Sequence, residues 1–310
     1  MTSGPAAIRT PDSLSASQAG AVRALIDTVP GAADLPPLSD QALLRLTASG
    51  PVRHLLVEGV EPDEPARGYL QYETIEGVAR AELVVGPDQV ALATELLTAL
   101  AHATEQAPVE LWAHGTDSPV HPAAAASGLV ETRTLYQLRR PLTEADLHPT
   151  LRLPDGVTVR TFRPGADDAA WLAVNAAAFA DLPDQGGWTQ ADLDARLAAE
   201  WFDPAGFFLA ERTGELLGFH WTKVHRDATD EQGHPLGEVY VLGVSPQAQG
   251  LGLGRDLLLV GLARLAEQSL TTVLLYVDGA NAAALALYRK YGFDEFAVDT
   301  QYGSPRVTDR

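Results

Sequence analysis

The chain has 310 residues, of which 46% are hydrophobic, a formal net charge of -19 at pH 7 and no cysteine. This length suits one large domain or two ordinary domains with a sizeable core. The charge argues against nucleic-acid backbones and anionic membranes as partners, and the lack of cysteine excludes disulfides, thiolate metal sites and a cysteine nucleophile. The sequence starts without the apolar core of a signal peptide, and no apolar run approaches the about 20 residues of a membrane span. We therefore expect a cytoplasmic protein.

The segment TEADLHPTLRLPDG, residues 143–156, is polar and carries two prolines. This composition predicts a linker between an N-terminal domain over 1–142 and a C-terminal domain over 157–310. The two sides show the same order of parts, so the chain is predicted to be an internal repeat of two mixed α/β domains. A chance likeness is the alternative, because a β-hairpin, a strand, a helix and a strand are a common series.

In the first half, SASQAGAVRALIDTV has apolar residues at helical spacing. HLLVEG and GYLQYETIEGVARAELVVGP then form the hairpin and strand part of the repeat, and the residues from Val90 to Leu100 again have helical spacing. VELWAHG predicts a further strand. The helix after AELVV is preceded by GPDQ, which contains no glycine-rich loop.

In the second half, DDAAWLAVNAAAFA predicts a helix, and FFLAE, the turn Arg212–Glu215 and LLGFHWTKV predict a β-hairpin. VYVLGV predicts a strand, and residues 255–268 predict a helix with leucines on one face. TTVLLYV predicts the next strand. A second helix is expected from Asn281 to Tyr291, opened by Asn281 at the N-cap and closed by Gly292 at the C-cap.

The stretch QGLGLGR, residues 249–255, lies between a predicted strand and a predicted helix, an order that often holds phosphate. It lacks the Gly-Lys-Ser/Thr of a P-loop and the glycine spacing of a dinucleotide fingerprint. By itself the loop is equally typical of a plain tight turn. Gly243 lies inside the preceding strand, and we interpret it as a bulge that frees backbone groups of Leu242, Gly243 and Val244. These freed groups can pair with an amide arm, and the N–H groups of the loop that follows can bind a pyrophosphate. A ligand with an amide arm followed by a pyrophosphate is coenzyme A.

A longer pattern extends beyond the loop, and it resembles the GNAT acyltransferase superfamily. Its members here are Gln249, Gly252, Gly254, Asn281, Ala284, Tyr288, Gly292 and Phe293. The segments GFHWTKVH, GEVYVLGVSP, DLPDQGGWT and LLYVDGANAAALALYRKYGF, with HLLVEG, AELVVGP and WAHG in the first half, are similar to the tandem-domain mycothiol synthase family. That resemblance covers nearly the whole chain.

The resemblance implies two tandem GNAT domains, each with a mixed, mostly antiparallel sheet flanked by helices, and with the chemistry in the second. It also implies acetyl transfer from acetyl-CoA to the cysteinyl amine of cysteinyl-glucosaminyl-inositol, the last step in making mycothiol, an actinobacterial thiol. A GNAT enzyme for another amine (an aminoglycoside or a peptide) and a non-catalytic acetyl-CoA-binding regulator are the alternatives. Since tandem domains already supply the pairing that single GNAT domains often gain by dimerising, we expect a monomer.

Acetyl transfer to an amine needs a base for the amine and a proton donor for the departing thiolate. The resemblance implies that Glu238 is the base and Tyr288 the acid. A solvated carboxylate and a core tyrosine are the alternatives on the residues alone. The resemblance also implies that Asp40, Asp184, Lys223, Glu238 and Tyr276 hold the acceptor, which consists mostly of hydroxyls. Trp188 and Trp221 are expected either to line its pocket or to pack in the core.

The pattern also implies an extended acetyl-CoA site. Its predicted residues are Leu242, Gly243, Val244, Gln249, Gly250, Leu251, Gly252, Leu253, Gly254, Arg255, Asn281, Ala282, Ala283, Ala284, Leu285 and Ala286. Gly250 and Leu251 stand where basic residues are common in the family, so phosphate binding is expected to rest on backbone N–H groups and Arg255.

In the family the first half can also hold acetyl-CoA, at positions that correspond here to Leu83, Val84 and Val85. Because the first half lacks the glycine loop, we interpret it as structural. No metal is predicted: His220 and His225 are five residues apart on a predicted strand and therefore face opposite sides.

Overall fold

The computed structural model describes residues 7–29, 36–47, 50–61, 64–230 and 232–305, without the side chains of residues 183, 184 and 227. The elements within these residues are given in chain order. They are α1 (Ala16–Thr28), α2 (Asp40–Arg45), β1 (Arg53–Val57), β2 (Gly68–Ile75), β3 (Val78–Val85), α3 (Val90–Ala103), β4 (Val109–Ala113), α4 (Val120–Ala126), β5 (Val130–Pro141), β6 (Val157–Thr161), α5 (Asp168–Ala178), α6 (Pro183–Gly186), α7 (Gln190–Leu197), β7 (Phe207–Arg212), β8 (Glu215–Thr229), β9 (Pro235–Val244), α8 (Leu253–Glu267), β10 (Thr272–Asp278), α9 (Ala282–Lys290) and β11 (Asp294–Gly303).

The chain divides into two compact units. The first unit comprises Met1–Tyr136, Asp278–Asn281 and Ala297–Arg310, and the second comprises Gln137–Val277 and Ala282–Phe296. The end of β11 lies in the first unit, where it pairs antiparallel with β4. The predicted domain boundaries stay a prediction.

In the first unit, β1, β2 and β3 form an antiparallel series, and β4 runs parallel to β3 after α3 crosses between them. The face covered by α3 is apolar, with Leu70, Leu83 and Leu96 buried. The opposite face packs against α1 and α2 through Val22 and Tyr69. The helix spacing and the strand order predicted for this half are confirmed.

In the second unit, β6 to β9 form an antiparallel series, and β10 runs parallel to β9 after α8. The predicted turn between β7 and β8 has positive φ at Thr213 (52°) and Gly214 (85°), as a type I′ hairpin turn requires. Since β7–β8–β9–α8–β10 repeats the pairing of β1–β2–β3–α3–β4, the predicted internal repeat is confirmed.

The two faces of the second sheet carry different kinds of residue. Leucines of α8 cover one face. The other face, under α5 and α7, is aromatic: the rings of Phe207 and Trp221 are stacked with centroids 4.3 Å apart, and Trp171 is fully buried among them. The sheet thus has a leucine face and an aromatic face, and the candidate site uses the aromatic one.

The segment predicted as a linker makes specific contacts within the second unit. Asp146, in a short 3₁₀ turn, accepts hydrogen bonds from Arg140 at 2.6 Å and from the Thr143 N–H at 2.8 Å. The carbonyl of Thr150 accepts from Arg255 at 2.7 Å. Among the described residues, no helix has the length and apolar character needed to cross a membrane.

Candidate active site

Strands β9 and β10 separate partway along their length. Their parallel pairing runs only from Leu236 to Val239 on β9, although β9 continues to Val244. In the antiparallel ladder with β8, the Ser245 N–H donates to the carbonyl of Leu217 at 2.8 Å. We call residues 240–244 of β9, which continue past the pairing with β10, the opened edge. Because hydrogen-bonded pairs alternate along the β8–β9 ladder, the N–H and C=O groups of Leu242 and Val244 point away from β8, toward the side that β10 leaves open. An amide-bearing ligand can pair there as an added strand does.

The predicted bulge at Gly243 is wrong in position. Gly243 pairs regularly with Phe219, and the register shift lies earlier, where Trp221 pairs with Val241 and Thr222 with Val239, so Tyr240 is the extra residue. Gly243 has a packing role instead, because a Cβ there would lie 2.8 Å from the Phe219 ring. The bulge is therefore beside Glu238, and the glycine accommodates an aromatic ring.

The glycine loop opens directly into α8. Gly250 and Gly252 have φ of 78° and 80°, a region that favours glycine. Gly252 is the N-cap of α8 and supplies no side-chain hydrogen bond, so the first N–H groups of the helix, from Leu253 onward, remain donors at the positive end of the helix dipole. Around both loop glycines, no described atom lies within 4 Å of where a Cβ would stand. Such a loop suits a phosphate group.

Helix α9 lies next to this loop. A Cβ on Gly254 would be 3.6 Å from Val244 Cγ2 and 4.0 Å from Leu287 Cδ2, so the opened edge, the start of α8 and α9 meet there. Asn281 directly precedes α9, and Gly292, with φ of 82°, ends it as predicted. The predicted acetyl-CoA residues of β9, the loop and the first turns of α9 thus belong to three elements that converge.

Arg255 is already engaged in this structure. Its guanidinium donates to the Tyr291 hydroxyl at 3.0 Å, to Asp256 at 2.8 Å and to the Thr150 carbonyl. Gln249 and Leu251 are exposed in the loop, Leu251 at 45%. These contacts favour the backbone over Arg255 as the main source of donors for a phosphate.

Glu238 is buried on β9 at the point where β10 separates from it. Its Oε2 lies 2.7 Å from Nε2 of His225 on β8, and the two side chains are 7% and 14% exposed. Lys223 pairs directly with Glu238, and Leu274 of β10 pairs with it on the other side. A carboxylate so withdrawn from water and beside an opened strand edge is well placed to accept a proton.

Three predicted acceptor residues share the aromatic face. Partners across a ladder point to the same side, and residues two apart do as well, so Lys223, Glu238 and Tyr276 lie on one face. The Lys223 ammonium is 4.8 Å from the centroid of Trp201 and 5.4 Å from that of Tyr240. The Tyr276 hydroxyl accepts a hydrogen bond from Gln137 at 2.8 Å.

Tyr288 lies on the buried side of α9. Its residue is 6% exposed and its ring contacts that of Phe293, with centroids 5.8 Å apart. Burial raises the pKa of the Tyr288 phenol well above its ordinary value, so it keeps its proton at neutral pH. A protonated phenol suits the predicted role of acid.

The remaining predicted residues lie elsewhere. Asp184 lies on α6, and its side chain is outside the described residues; Asp40 begins α2 in the first unit. Trp221 is fully buried in the core and Trp188 is half-buried. The contacts of Asp40 and Asp184 with an acceptor stay predictions.

The two histidines of β8 face opposite sides, as predicted. His220 is fully buried against α8, with Nδ1 2.7 Å from the Leu257 carbonyl, whereas His225 contacts Glu238. Burial lowers the pKa of His220 to about 4 despite the hydrogen bond to Leu257. Within the residues that the structure describes, no cluster of acidic and histidine side chains could hold a metal.

The first unit has an opened edge of its own. Strand β3 pairs with β4 only from Ala79 to Glu82, and the buried Leu83, Val84 and Val85 continue past it. The next four residues are Gly-Pro-Asp-Gln, and Gln89 caps α3 without a side-chain hydrogen bond. The strand geometry for an amide arm is present, but Pro87 lacks an N–H and Asp88 is negatively charged, so this loop is poorly suited to phosphate.

Two contacts of the candidate site were not predicted from the sequence. One is the hydrogen bond between His225 and Glu238. The other is the buried Arg196 of α7, which donates to the Tyr240 hydroxyl at 2.9 Å and stacks over Trp188 at 3.7 Å. The alternation along β8 could have placed His225 on the face of Lys223, but its partner lies on another strand.

Comparison with known proteins agrees with this geometry. The sequence model of the acetyltransferase (GNAT) family matches residues 173–293. A mycothiol acetyltransferase of Thermomonospora curvata is 49% identical over 95% of this chain and 96% of its own. A mycothiol acetyltransferase of Streptomyces avermitilis is 49% identical over 95% of this chain and 94% of its own. The chain belongs to the mycothiol acetyltransferase family. It is thus an N-acetyltransferase of the GNAT type, and the predicted resemblance and enzyme class are confirmed.

Solved structures show the same fold. A tandem GNAT protein from the clavulanic acid biosynthesis pathway matches with a TM-score of 0.66 and 17% identity, over 96% of this chain and 98% of that one. A GCN5-related N-acetyltransferase from Sphaerobacter thermophilus matches with a TM-score of 0.64 and 19% identity, over 96% of this chain and 95% of that one. The predicted fold class, tandem GNAT domains, is confirmed.

Proposed function

We propose that this member of the mycothiol acetyltransferase family transfers the acetyl group of acetyl-CoA to the cysteinyl amine of cysteinyl-glucosaminyl-inositol, forming mycothiol. The observation that carries the proposal is the meeting of three features in the second unit. The opened edge of β9 leads into the glycine-capped start of α8 beside α9, and Glu238 is buried on the same strand. The name of the relatives supplies the product.

The donor site is built mainly from backbone. Leu242 and Val244 offer N–H and C=O groups to an amide arm, and Gly250, Gly252 and the first turn of α8 offer N–H groups to a pyrophosphate. Ala282 to Ala286 form the adjacent first part of α9, directly after Asn281. Acetyl-CoA supplies an acetyl thioester, whose carbonyl is the electrophile. A backbone N–H at the opened edge can stabilise the charge that develops on that carbonyl oxygen.

Glu238 takes up the proton of the acceptor amine, directly or through one water. The amine must be unprotonated to attack, and a carboxylate beside it can hold the ammonium form first and accept its proton afterwards. As the amine nitrogen bonds to the acetyl carbon, the carbon–sulfur bond breaks. Tyr288 gives its phenolic proton to the departing sulfur. Glu238 then releases the proton taken from the amine and the Tyr288 phenolate regains one, so both side chains return to their starting states; an acceptor that arrives as the ammonium ion gives one further proton to water.

Lys223 and Tyr276 hold the acceptor on the aromatic face beside Glu238. A sugar and an inositol present many hydroxyls, so an ammonium and a phenol offer the hydrogen bonds that such a molecule needs. Their shared face with Glu238 supports this assignment. Asp184 would add a carboxylate from α6.

Purified protein tests the proposal with a set of acceptors. With acetyl-CoA as donor, we expect kcat/KM for cysteinyl-glucosaminyl-inositol to exceed that for an aminoglycoside or a peptide amine by at least about a hundredfold, because a site built for hydroxyl groups rejects molecules that leave its polar groups unpaired. Equal values for all amines would contradict the mycothiol assignment and favour the broader GNAT alternative.

Two variants test the chemistry. Glu238→Gln and Tyr288→Phe each keep the size of the side chain and remove the acid–base function. Full activity in both would refute the catalytic assignment, whereas acetyl-CoA binding without acetylation of any amine would favour the regulator alternative. The variant His234→Ala, in the exposed hairpin between β8 and β9, is the matched control for changes in this region.

A further inference from the structure

The side chain of His225 contacts the proposed base and has no assigned part in the reaction. It lies on β8 two residues after Lys223 and reaches diagonally across the ladder to Glu238 of β9, with Nε2 2.7 Å from Oε2. At 14% and 7% exposed, neither side chain is freely solvated. A hydrogen bond in such a place is stronger and more directional than one on the surface.

The chemistry of the pair fixes the direction of this bond. An ionised carboxylate only accepts hydrogen bonds, so while Glu238 acts as a base, Nε2 of His225 must carry the proton and donate it. One oxygen of Glu238 is then held by the histidine. A carboxylate held at one oxygen has lost rotational freedom about its last bond, which is a condition for reliable proton acceptance.

The backbone holds His225 firmly for this purpose. His225 pairs with Leu236 in the last regular pair before the β8–β9 ladder becomes irregular, up to the pairing of Thr229 with Pro235. The charged or polar groups near this face include Lys223, opposite Glu238, and the phenols of Tyr240 and Tyr276, which accept hydrogen bonds from Arg196 and Gln137. On this face, Nε2 of His225 is within hydrogen-bond distance of Oε2 of Glu238, and this contact is the basis for assigning orientation of the base to His225.

We infer that His225 is a positioning residue for acetyl transfer, which holds the Glu238 carboxylate in the orientation that accepts the proton of the acceptor amine. The inference rests on the proposed function, since it acts through Glu238. His225 neither gains nor loses a proton in the net reaction. The proton of the amine goes to Glu238, and the bonds made and broken are those already given.

The test compares single-turnover rates of acetyl transfer to cysteinyl-glucosaminyl-inositol in His225→Ala, His225→Gln and His234→Ala. We expect His225→Ala to lower the rate about tenfold, a part of the 10²- to 10⁴-fold that a general base contributes. His225→Gln has an amide N–H at similar reach, so we expect it to recover the rate to within about threefold of the wild type. His234→Ala should match the wild type.

A second readout separates positioning from loss of structure. Binding of CoA, measured by calorimetry, and the thermal unfolding midpoint should remain near the wild-type values in His225→Gln, and CoA binding should remain so in His225→Ala. In the double variant Glu238→Gln/His225→Ala, the histidine change should add less than about twofold, because two residues acting as a unit are non-additive.

The outcomes distinguish this inference from the proposed function. A large loss in Glu238→Gln with an unchanged rate in His225→Ala overturns the role of His225 alone. The same conclusion holds if His225→Gln folds but recovers nothing, or if the histidine change is equally harmful in the Glu238→Gln background. If Glu238→Gln itself transfers acetyl at the wild-type rate, the proposed base is wrong and the inference falls with it.

Discussion

Each unit of the molecule has a glutamate that is largely withdrawn from water and is contacted by an imidazole, and the two pairs differ in what surrounds them. In the first unit, Glu82 of β3 accepts hydrogen bonds from the Ser39 N–H and hydroxyl, at 2.7 and 2.5 Å, and from His114 at 3.2 Å. The other nitrogen of His114 lies 2.9 Å from Asp299. In the second unit, Glu238 has its imidazole contact near the point where β10 separates from β9, the strand that leads to the glycine loop.

Under the proposed function, the same type of pair serves the fold in the first unit and the chemistry in the second. Burial by itself would lower the pKa of His114, but the hydrogen bonds and charges of Asp299 and Glu82 raise it to about 10. Burial would likewise raise the pKa of Glu82, yet His114 and Ser39 hold it below its ordinary value. Near neutral pH, His114 and Glu82 are thus both held in their charged forms, and their contacts link α2, β3, β4 and β11. Glu238 lies instead where β10 separates from β9, and the proposed function gives it the role of base.

The loops after β3 and β9 differ in the same way. Both come after a strand that extends beyond its parallel neighbour. The second loop has glycines with positive φ at the helix start, whereas the first has Pro87 and Asp88. A unit can therefore keep the strand geometry of an acetyl-CoA site and still lack its phosphate cradle.

The largest effect is expected from exchanging each glutamate for glutamine. Glu238→Gln should lower kcat about 10²- to 10⁴-fold, since the base is lost, with little change in the free energy of unfolding. Glu82→Gln should leave kcat near the wild-type value at a permissive temperature and lower the unfolding free energy. Steady-state kinetics and urea unfolding of both variants check this, and a loss of kcat in Glu82→Gln alone would reverse the comparison.

The ion pair of the first unit should make stability depend on pH. His114→Gln is expected to lower the free energy of unfolding by about 3 kcal/mol or more near neutral pH, because it removes one partner of a buried charged network. The folded-state pKa of His114, about 10, lies above its ordinary 6.5, so the stabilisation is complete below pH 6.5 and is lost as the pH rises through 10. Urea unfolding of variant and wild type from pH 6 to 10 should show the difference shrinking. A constant difference would contradict the charge assignment.

The proposed phosphate-binding role of the glycine loop, residues 249–255, is tested by Gly252→Val. A β-branched residue at a φ of 80° is strained by about 1–3 kcal/mol, so we expect the KM for acetyl-CoA to rise about tenfold or more. Gly86→Val, at the corresponding turn of the first unit, is the matched control. Its Cβ would make only an ordinary 3.5 Å contact with Gln89. An equal rise in KM in the control would show that both loops hold the donor.

The smallest effect, on the KM for acetyl-CoA, is expected from adding a positive charge to the glycine loop. Leu251 is exposed in the glycine loop, and Leu251→Arg should lower the KM for acetyl-CoA about two- to fivefold at low salt, as a surface charge pair contributes up to about 1 kcal/mol. The gain should vanish at high ionic strength because salt screens it. Kinetics at two salt concentrations measure this; a gain that persists at high salt would point to a different cause.

Local features of the fold were predictable from the sequence. The turn at Thr213 and Gly214, the helix spacing of α1, α3 and α5, and the end of α9 at Gly292 each depend on neighbouring residues, whose conformational preferences are short-range. Helix α8 begins at Leu253, two residues earlier than predicted, because the glycine N-cap carries no polar side chain that would mark it.

Features that depend on pairing across strands were not predictable. The bulge at Tyr240 is set by the register between β8 and β9, and no local signal distinguishes it from Gly243. The contact of His114 with Asp299 joins residues 185 positions apart. For the site, the motif pointed to the elements, but the histidine on Glu238 required the register of the sheet.

Titration of the protein with CoA by calorimetry tests the central claim most directly, that the second unit alone holds the acetyl donor. We predict one CoA bound per chain, with binding greatly weakened in Gly252→Val and unchanged in Gly86→Val. Two CoA molecules per chain, or a single site that survives Gly252→Val intact, would contradict the account.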